Sequence, residues 1–215
     1  MHMPLVIRTS LYLAKVLDSW IGLDLASGRY LLFQGMIGEQ IDRFTAQQAT
    51  TADVESLHER GILEPDQGQQ RLFAPSICSP ADQLHQDTTI RPSLGLTMKA
   101  VWNQTSAKRQ LARLTLCDAL ERLNLEMSEV RFAEADQCRD LVHAFNWSKR
   151  FVSHQDQCLV RGVAMCRMLA QRGGRTHLVI GVALPFIAHC WVQAGEIVLS
   201  DTIDRVRTYV PILAV

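Results

Sequence analysis

The feature that most constrains the fold is the segment 158–171, which is apolar on almost every side if it forms a helix. Only Arg161 and Arg167 interrupt it strongly. A helix that is apolar all round has to be buried, and Gly173-Gly174 is typical of a helix end. Alternating, strand-like segments follow at 177–182, 188–193 and 197–201. This pattern predicts a buried central helix packed against an antiparallel sheet.

The N-terminal residues have a different pattern. Apolar and polar residues alternate over 9–33 in three short runs, which are separated by turn signals at Asp18-Ser19 and Ser27-Gly28. Helical spacing follows over 36–44 and again over 51–60. Three strands followed by helices predict a winged-helix-like unit within residues 1–75.

Prolines and polar residues then break the pattern, and helical periodicity resumes over 94–127 and 132–150. We therefore predict an α+β protein with three parts. They are a small N-terminal domain, a linker, and a C-terminal domain with an antiparallel sheet and a central helix, at residues 1–75, 76–92 and 93–215.

Composition excludes several classes of protein. The 215 residues carry 22 Lys and Arg against 22 Asp and Glu, so no excess of positive charge favours nucleic acid or an anionic membrane. The N-terminus does not resemble a signal peptide, and the longest apolar run, 178–188, is too short to span a bilayer. Six cysteines without C-x-x-C spacing favour reduced thiols in a cytosolic protein that needs no metal or other cofactor.

Three polar residues on consecutive elements suggest a nucleophilic site: Cys158 heads the apolar helix, His189 lies in the second strand, and Asp201 ends the third. With Asp156 as the N-cap, Cys158 lies in the first turn, where backbone N–H groups and the helix dipole favour a thiolate. Ser153 is an alternative N-cap, which would place the thiol deeper in the helix.

The hairpin gives a sharper geometric expectation. A three-residue loop centred on Gly195 would place His189 directly opposite Asp201, with Cβ atoms about 4.5–5.5 Å apart. A two-residue turn would slip the register by one and send Asp201 to the other face. In the first case the carboxylate fixes the imidazole tautomer, and the other ring nitrogen faces the thiol.

Each residue also has a structural interpretation. A cysteine in a buried helix is usually a small apolar residue, as we expect for Cys166 and Cys190. A strand histidine is often satisfied by its neighbours, and an aspartate at a strand end is often a turn residue. His154 and His177 compete for the role of base, but neither has an acid placed across a hairpin.

The motifs of the C-terminal part strongly resemble those of the lasso-peptide biosynthesis B proteins, which are transglutaminase-like, papain-like cysteine peptidases. The similar motifs are Asp-Gln-Cys-Leu, His-Leu-Val-Ile-Gly-Val, Pro-Phe-Ile-Ala-His-Cys-Trp-Val and Val-Leu-Ser-Asp, within 155–215. The resemblance implies Cys158 as nucleophile, His189 as base and Asp201 as its orienting acid. Cys190 departs from the pattern, and strand alternation predicts that it points away. Oxyanion donors stay open among the Cys158 N–H, Gln155 and Gln157.

The N-terminal unit resembles the PqqD-like precursor-recognition element through Gly22-Leu23-Asp24-Leu25, Ser27-Gly28-Arg29-Tyr30 and the segment 57–63. The resemblance implies that a leader peptide adds as a strand beside the third strand and packs on the last helix. The residues that would contact it are Tyr30, Leu31, Leu32, Phe33, Val54 and Leu57. A mildly acidic unit also disfavours a winged-helix DNA regulator.

Together these expectations describe a cytosolic cysteine peptidase that cleaves a lasso precursor between leader and core. By resemblance, its partners are the precursor and a separate asparagine-synthetase-like cyclase. Two alternatives stay open: a transglutaminase-like acyltransferase that uses an amine acceptor, and a non-catalytic adaptor that presents the precursor to another enzyme.

Overall fold

The computed structural model describes residues 4–75, 77–84, 91–152 and 157–215. Within these ranges the chain is a mixture of helices and sheets in which an N-terminal unit packs against a larger C-terminal part. None of the described helices combines the length and the apolar character that crossing a membrane requires.

The N-terminal unit contains a three-stranded antiparallel meander in the order β2-β3-β4, two helices and a separate two-stranded ribbon of β1 and β5. Its elements are β1 (Leu5–Ile7), β2 (Leu11–Val16), β3 (Ser19–Asp24), β4 (Arg29–Phe33), α1 (Met36–Thr45), α2 (Thr51–Glu59) and β5 (Leu63–Pro65). The predicted meander and both helices are confirmed. The ribbon was not predicted, and the winged-helix assignment stays a prediction.

Both faces of the meander are covered. Paired residues on neighbouring strands share a face, so Tyr12 and Leu23 point to one side and Leu11 and Trp20 point to the other. The face with Tyr12 and Leu23 belongs to a hydrophobic core shared with the C-terminal part, whereas the opposite face packs against α1 and α2. The two halves of the chain are therefore joined by buried apolar surface.

Helices form the middle of the chain, and they are α3 (Leu94–Leu111), α4 (Leu116–Met127), α5 (Ala135–Ser148) and α6 (Cys158–Ala170). The predicted helical segments are confirmed. Helix α6 is the central one: it contacts α3, α4, α5 and the sheet, and most of its residues are buried. It ends as expected, because Gly173 adopts a φ of 83° and donates its N–H to the Ala170 carbonyl.

A five-stranded sheet in the order β10-β7-β8-β9-β6 covers α6. Its strands and the adjoining short helix are β6 (Asp82–Gln83), β7 (His177–Ala183), β8 (Ile187–Ala194), β9 (Ile197–Val198), α7 (Ile203–Val206) and β10 (Val210–Ala214). Strand β6 pairs in parallel with β9, although it lies inside the segment 76–92 expected as a linker. The domain boundaries themselves stay a prediction.

Candidate active site

Cys158 is the first residue of α6, and the residue at the N-cap position is Gln157, which makes no side-chain capping bond. The expected caps, Asp156 and Ser153, lie outside the described residues. Gly162 lets the helix approach the sheet, because a Cβ there would collide with the Leu178 side chain. The thiol is thus placed in the first helical turn, beside β8.

His189 occupies a buried position on β8, and its side chain is 7% exposed. Its Nε2 atom lies 2.7 Å from Oδ2 of Asp201. The ring stacks at a tilt on Tyr209, with 5.1 Å between the ring centroids. Because Nε2 is committed to the carboxylate, Nδ1 is the ring nitrogen left to face Cys158.

The predicted contact between His189 and Asp201 is present, but the register that led to it is wrong. Gln193 pairs with Val198, so the hairpin loop has only two residues, Gly195 and Glu196. Continued pairing in this register would have sent Asp201 to the wrong face.

Early termination of the strand restores the contact. Strand β9 ends at Val198, and the last backbone bond of the ladder joins Leu199 N to Val192 O at 2.9 Å. The Ser200 hydroxyl then accepts the Val192 N–H at 2.8 Å, in place of a backbone carbonyl. The chain turns away there, and the Thr202 N–H holds Oδ1 of Asp201 at 2.8 Å. Asp201 is consequently a loop residue rather than a strand residue.

The charges of the three groups reinforce one another. Burial raises the pKa of the Cys158 thiol, but hydrogen bonds from His189 and from the backbone of Cys190 and Leu159 outweigh it and lower the pKa below 9.0. Burial lowers the pKa of His189, but hydrogen bonds with Asp201 and Cys158 raise it to about 9. Burial raises the pKa of Asp201, but the hydrogen bond to His189 outweighs burial, so the pKa of Asp201 lies below its ordinary value. The arrangement favours a thiolate–imidazolium pair.

Three buried thiols have a raised pKa instead. Burial raises the pKa of Cys138 to about 11 and that of Cys166 to about 12. Burial also raises the pKa of Cys190, whose sulfur faces Gly162 on α6. The Cys190 thiol therefore points towards the helix, while its backbone N–H serves Cys158.

Cys158, His189 and Asp201 line one cavity of about 390 Å³, which we call the Cys158 cavity. Gln157 and Tyr209 also line it. Among the described residues there is no group of three or more His, Cys, Asp or Glu side chains placed to hold a metal ion. The cavity thus brings together a thiol, an imidazole and a carboxylate.

A family model described as the transglutaminase-like superfamily matches residues 101–214, which is more than half of the chain. The chain belongs to the transglutaminase-like superfamily. This superfamily has a papain-like cysteine protease or acyltransferase fold, and its members are typically cysteine-based enzymes. No curated protein and no solved structure matched the chain.

Of the two competing histidines, His177 lies away from this transglutaminase-like site. His154 lies outside the described residues, as does Gln155, one of the expected oxyanion donors. His177 pairs with Gln193 and packs on Phe132, with 5.0 Å between the ring centroids. Burial lowers the pKa of His177. Its imidazole is thus part of a hydrophobic contact elsewhere on the sheet.

The residues expected to contact a leader lie mainly on β4, which is an edge strand of its sheet. Leu31 and Leu32 are 37% and 38% exposed. On α2, Val54 is half-buried, whereas Leu57 is fully buried in the core between the helices and the sheet. Helix α2 can therefore offer Val54 to a peptide directly, but not Leu57.

The sequence did not reveal how close β4 lies to the cavity. The Tyr30 ring meets Phe186 edge-on, with 6.3 Å between centroids, at a small groove of about 40 Å³. Ile187 and Ala188 line both this groove and the Cys158 cavity. Burial raises the pKa of Tyr30 to about 12, and the nearby Cys190 and Cys158 add to the rise. No sequence signal linked residue 30 to the hairpin.

Proposed function

We propose that this transglutaminase-like protein is a cysteine peptidase that removes the leader from a lasso precursor peptide. The observation that carries the proposal is the His189–Asp201 bond through Nε2, at 2.7 Å. It leaves Nδ1 for Cys158, whose thiol has a lowered pKa. Nucleophile, base and orienting acid are the parts that acyl transfer from an amide requires.

In the proposed mechanism the Cys158 thiolate attacks the scissile carbonyl carbon. The His189 imidazolium then gives its proton to the departing amine as the C–N bond breaks, which leaves a thioester on Cys158. A water molecule loses a proton to His189 and attacks the thioester, which releases the leader acid and restores the Cys158 thiolate beside the His189 imidazolium. The Cys158 N–H and the Gln157 side chain are the proposed donors to the oxyanion, since Gln157 lines the cavity.

Replacing the thiol tests this mechanism directly. We expect Cys158→Ala to abolish cleavage of a full-length precursor peptide encoded beside the gene, with products read by mass spectrometry, while binding of the leader survives. Cys78→Ala is the matched control, because Cys78 is an exposed free thiol away from the cavity. Cleavage that persists in the Cys158→Ala protein would rule the mechanism out.

The acceptor distinguishes a peptidase from an acyltransferase. The same thioester would be hydrolysed by water or captured by an amine, so products should be compared with and without an added primary amine. A leader product that is heavier than the hydrolysed leader, by the mass of the amine less that of water, would favour the transglutaminase-like alternative. A Cys158 that resists iodoacetamide at neutral pH would instead favour the non-catalytic adaptor.

Leader recognition is proposed for the β4 edge. An edge strand has unpaired backbone groups, and here it lies next to the groove that borders the cavity. We expect Leu32→Glu to weaken binding of a fluorescent leader peptide about tenfold, since that needs only about 1.4 kcal/mol. Iodoacetamide labelling of Cys158 should not change.

A matched control for this test is Leu17→Glu, because Leu17 is 79% exposed on the β2–β3 turn of the same sheet. Equal leader affinity in the two variants would count against β4 as the leader-binding edge.

After cleavage, the freed core would pass to the proposed asparagine-synthetase-like cyclase, which joins its amine to a carboxyl side chain.

A further inference from the structure

Three cationic side chains line the Cys158 cavity beside the proposed catalytic groups: Lys149, Arg161 and Arg205. Arg205 is balanced in part, because its Nη1 lies 3.5 Å from Oδ2 of Asp201. Neither Lys149 nor Arg161 forms an ion pair within residues 4–75, 77–84, 91–152 and 157–215. The one nearby carboxylate, Asp201, raises the pKa of both side chains but is already bonded to His189 and paired with Arg205. The cavity therefore holds more positive than negative charge.

Arg161 is the more unusual of the two because it is only 9% exposed. It lies three residues after Cys158, on the same side of α6. Its Nη1 donates to the Phe145 carbonyl and its Nη2 to Oδ1 of Asn146, both at 2.8 Å. Both acceptors are neutral, so they satisfy two N–H donors without compensating the charge.

Donors remain on this guanidinium. It carries five N–H groups, and the buried Nε of Arg161 has no partner among the described residues. A buried N–H without an acceptor is costly unless a ligand or water supplies one. The Nε atom itself is closed off, but the side chain lines the cavity, so the second N–H groups of Nη1 and Nη2 are the donors that a ligand there can use.

Lys149 adds a second charge close to the first. Burial and the charges of Arg161 and Arg205 lower the pKa of Lys149, and the charge of Asp201 offsets them only in part. Burial lowers the pKa of Arg161 to about 10, against an ordinary value of 12.5, although the charge of Asp201 acts to raise it. Two cations that repel each other in a partly desolvated space are stabilised by any anion that fits between them.

We propose that Arg161 and Lys149 form a carboxylate subsite in the Cys158 cavity, so that the enzyme acts on a substrate with a carboxylate near the bond it cleaves. A carboxylate suits the planar donor fork of arginine and the point charge of lysine. The carboxylate comes either from an acidic side chain or from a free peptide C-terminus. The statement about the substrate rests on the proposed function, but binding of a carboxylate does not require cleavage.

Two alkylating reagents that differ in charge test the subsite on the full-length protein. Iodoacetate and iodoacetamide share a leaving group and differ in charge. The rate constant for iodoacetate at Cys158, divided by that for iodoacetamide, therefore isolates the effect of a carboxylate. We expect that ratio to fall about fivefold in Lys149→Gln and in Arg161→Gln, as expected when one nearby charge is lost. Arg150→Gln is the matched control, because Arg150 stacks on Trp147 and does not line the cavity.

The second measurement needs no reactive thiol. Titrations monitored by thermal shift would compare N-acetylglutamate amide, N-acetylglutamine amide and N-acetylalanine. We expect the two carboxylates to bind more tightly than the neutral amide, and Lys149→Gln to remove that preference. The tighter of the two carboxylates identifies the source, a side chain or a terminus.

The two measurements separate the two proposals. A Cys158 that reacts with neither reagent would overturn the proposed function, while a carboxylate preference in the titrations would still support the subsite. Equal binding of the neutral and anionic probes, or an alkylation ratio that does not change in Lys149→Gln, would overturn the subsite. Lys149→Gln carries the test if Arg161→Gln fails to fold, since the Lys149 side chain makes no described hydrogen bond or ion pair.

Discussion

Replacing Asp201 with asparagine would test the electrostatic basis of the proposed site. Asparagine keeps the size of the side chain and can still accept a hydrogen bond, but it carries no charge. In the native chain Oδ2 lies 2.7 Å from Nε2 of His189, and the two side chains are 16% and 7% exposed. Solvent therefore screens this interaction little.

The expected size of the effect follows from the pKa of His189. Its rise from 6.5 to about 9 corresponds to roughly 3 kcal/mol. Asp201 and Cys158 both raise this pKa, so loss of the carboxylate should lower it by about one to two pH units. We thus expect the pKa of His189 in Asp201→Asn to lie below its native value of about 9.

The sign of the pH dependence is fixed by the direction of this change. Because the folded-state pKa of His189 is raised, its contribution to stability is fully present below pH 6.5 and is lost as the pH rises through about 9. Asp201→Asn should therefore destabilise the protein by about 1.5–3 kcal/mol at pH 6 and by much less near pH 10.

Urea unfolding of both proteins at the two pH values measures this difference. Iodoacetamide labelling gives a second readout: the midpoint of Cys158 alkylation should move to higher pH, because a weaker imidazolium stabilises the thiolate less. Asp204→Asn, an exposed position on α7, is the control and should change neither readout. A loss of stability that is the same at pH 6 and pH 10 would refute the electrostatic argument.

Two further variants test the structure around the site, each by urea unfolding. Gly162→Ala should destabilise the protein by about 1–3 kcal/mol, because its new Cβ would meet the Leu178 side chain. Gly95→Ala on α3, whose new Cβ would meet only the Ser93 hydroxyl at an ordinary contact distance of 3.7 Å, should be neutral or stabilising. Equal losses at the two glycines would contradict the close approach. Thr50→Ala should cost about 1 kcal/mol by removing the capping box with Asp53, and an unchanged unfolding midpoint would contradict that role.

Local patterns predicted the elements well because each of them carries its own periodicity. The alternation in β2, β3 and β4 and the apolar helix α6 were all identified from neighbouring residues. The order of Cys158, His189 and Asp201 also led to the three groups that the cavity brings together. These inferences needed only residue types and their spacing.

Long-range features were harder to predict. The hairpin register depended on one residue of loop length, and the Ser200 hydroxyl ended the ladder in a way that no periodicity indicates. Strand β6 has two residues, and β1 pairs with β5 across the whole N-terminal unit. Arg161 looked like an interruption of an apolar helix, and only the fold shows that it lines the cavity.

The covered inner face of the meander has a consequence for any peptide that docks on its edge. Because Tyr12, Leu23 and their neighbours lie in the core shared with the C-terminal part, the meander that carries β4 packs directly on the part that holds Cys158. A strand added there would advance about 3.3 Å per residue from a fixed origin. The protein would then act as a molecular ruler, in which the number of residues between anchor and thiol, rather than the side chains alone, selects the bond to be cut.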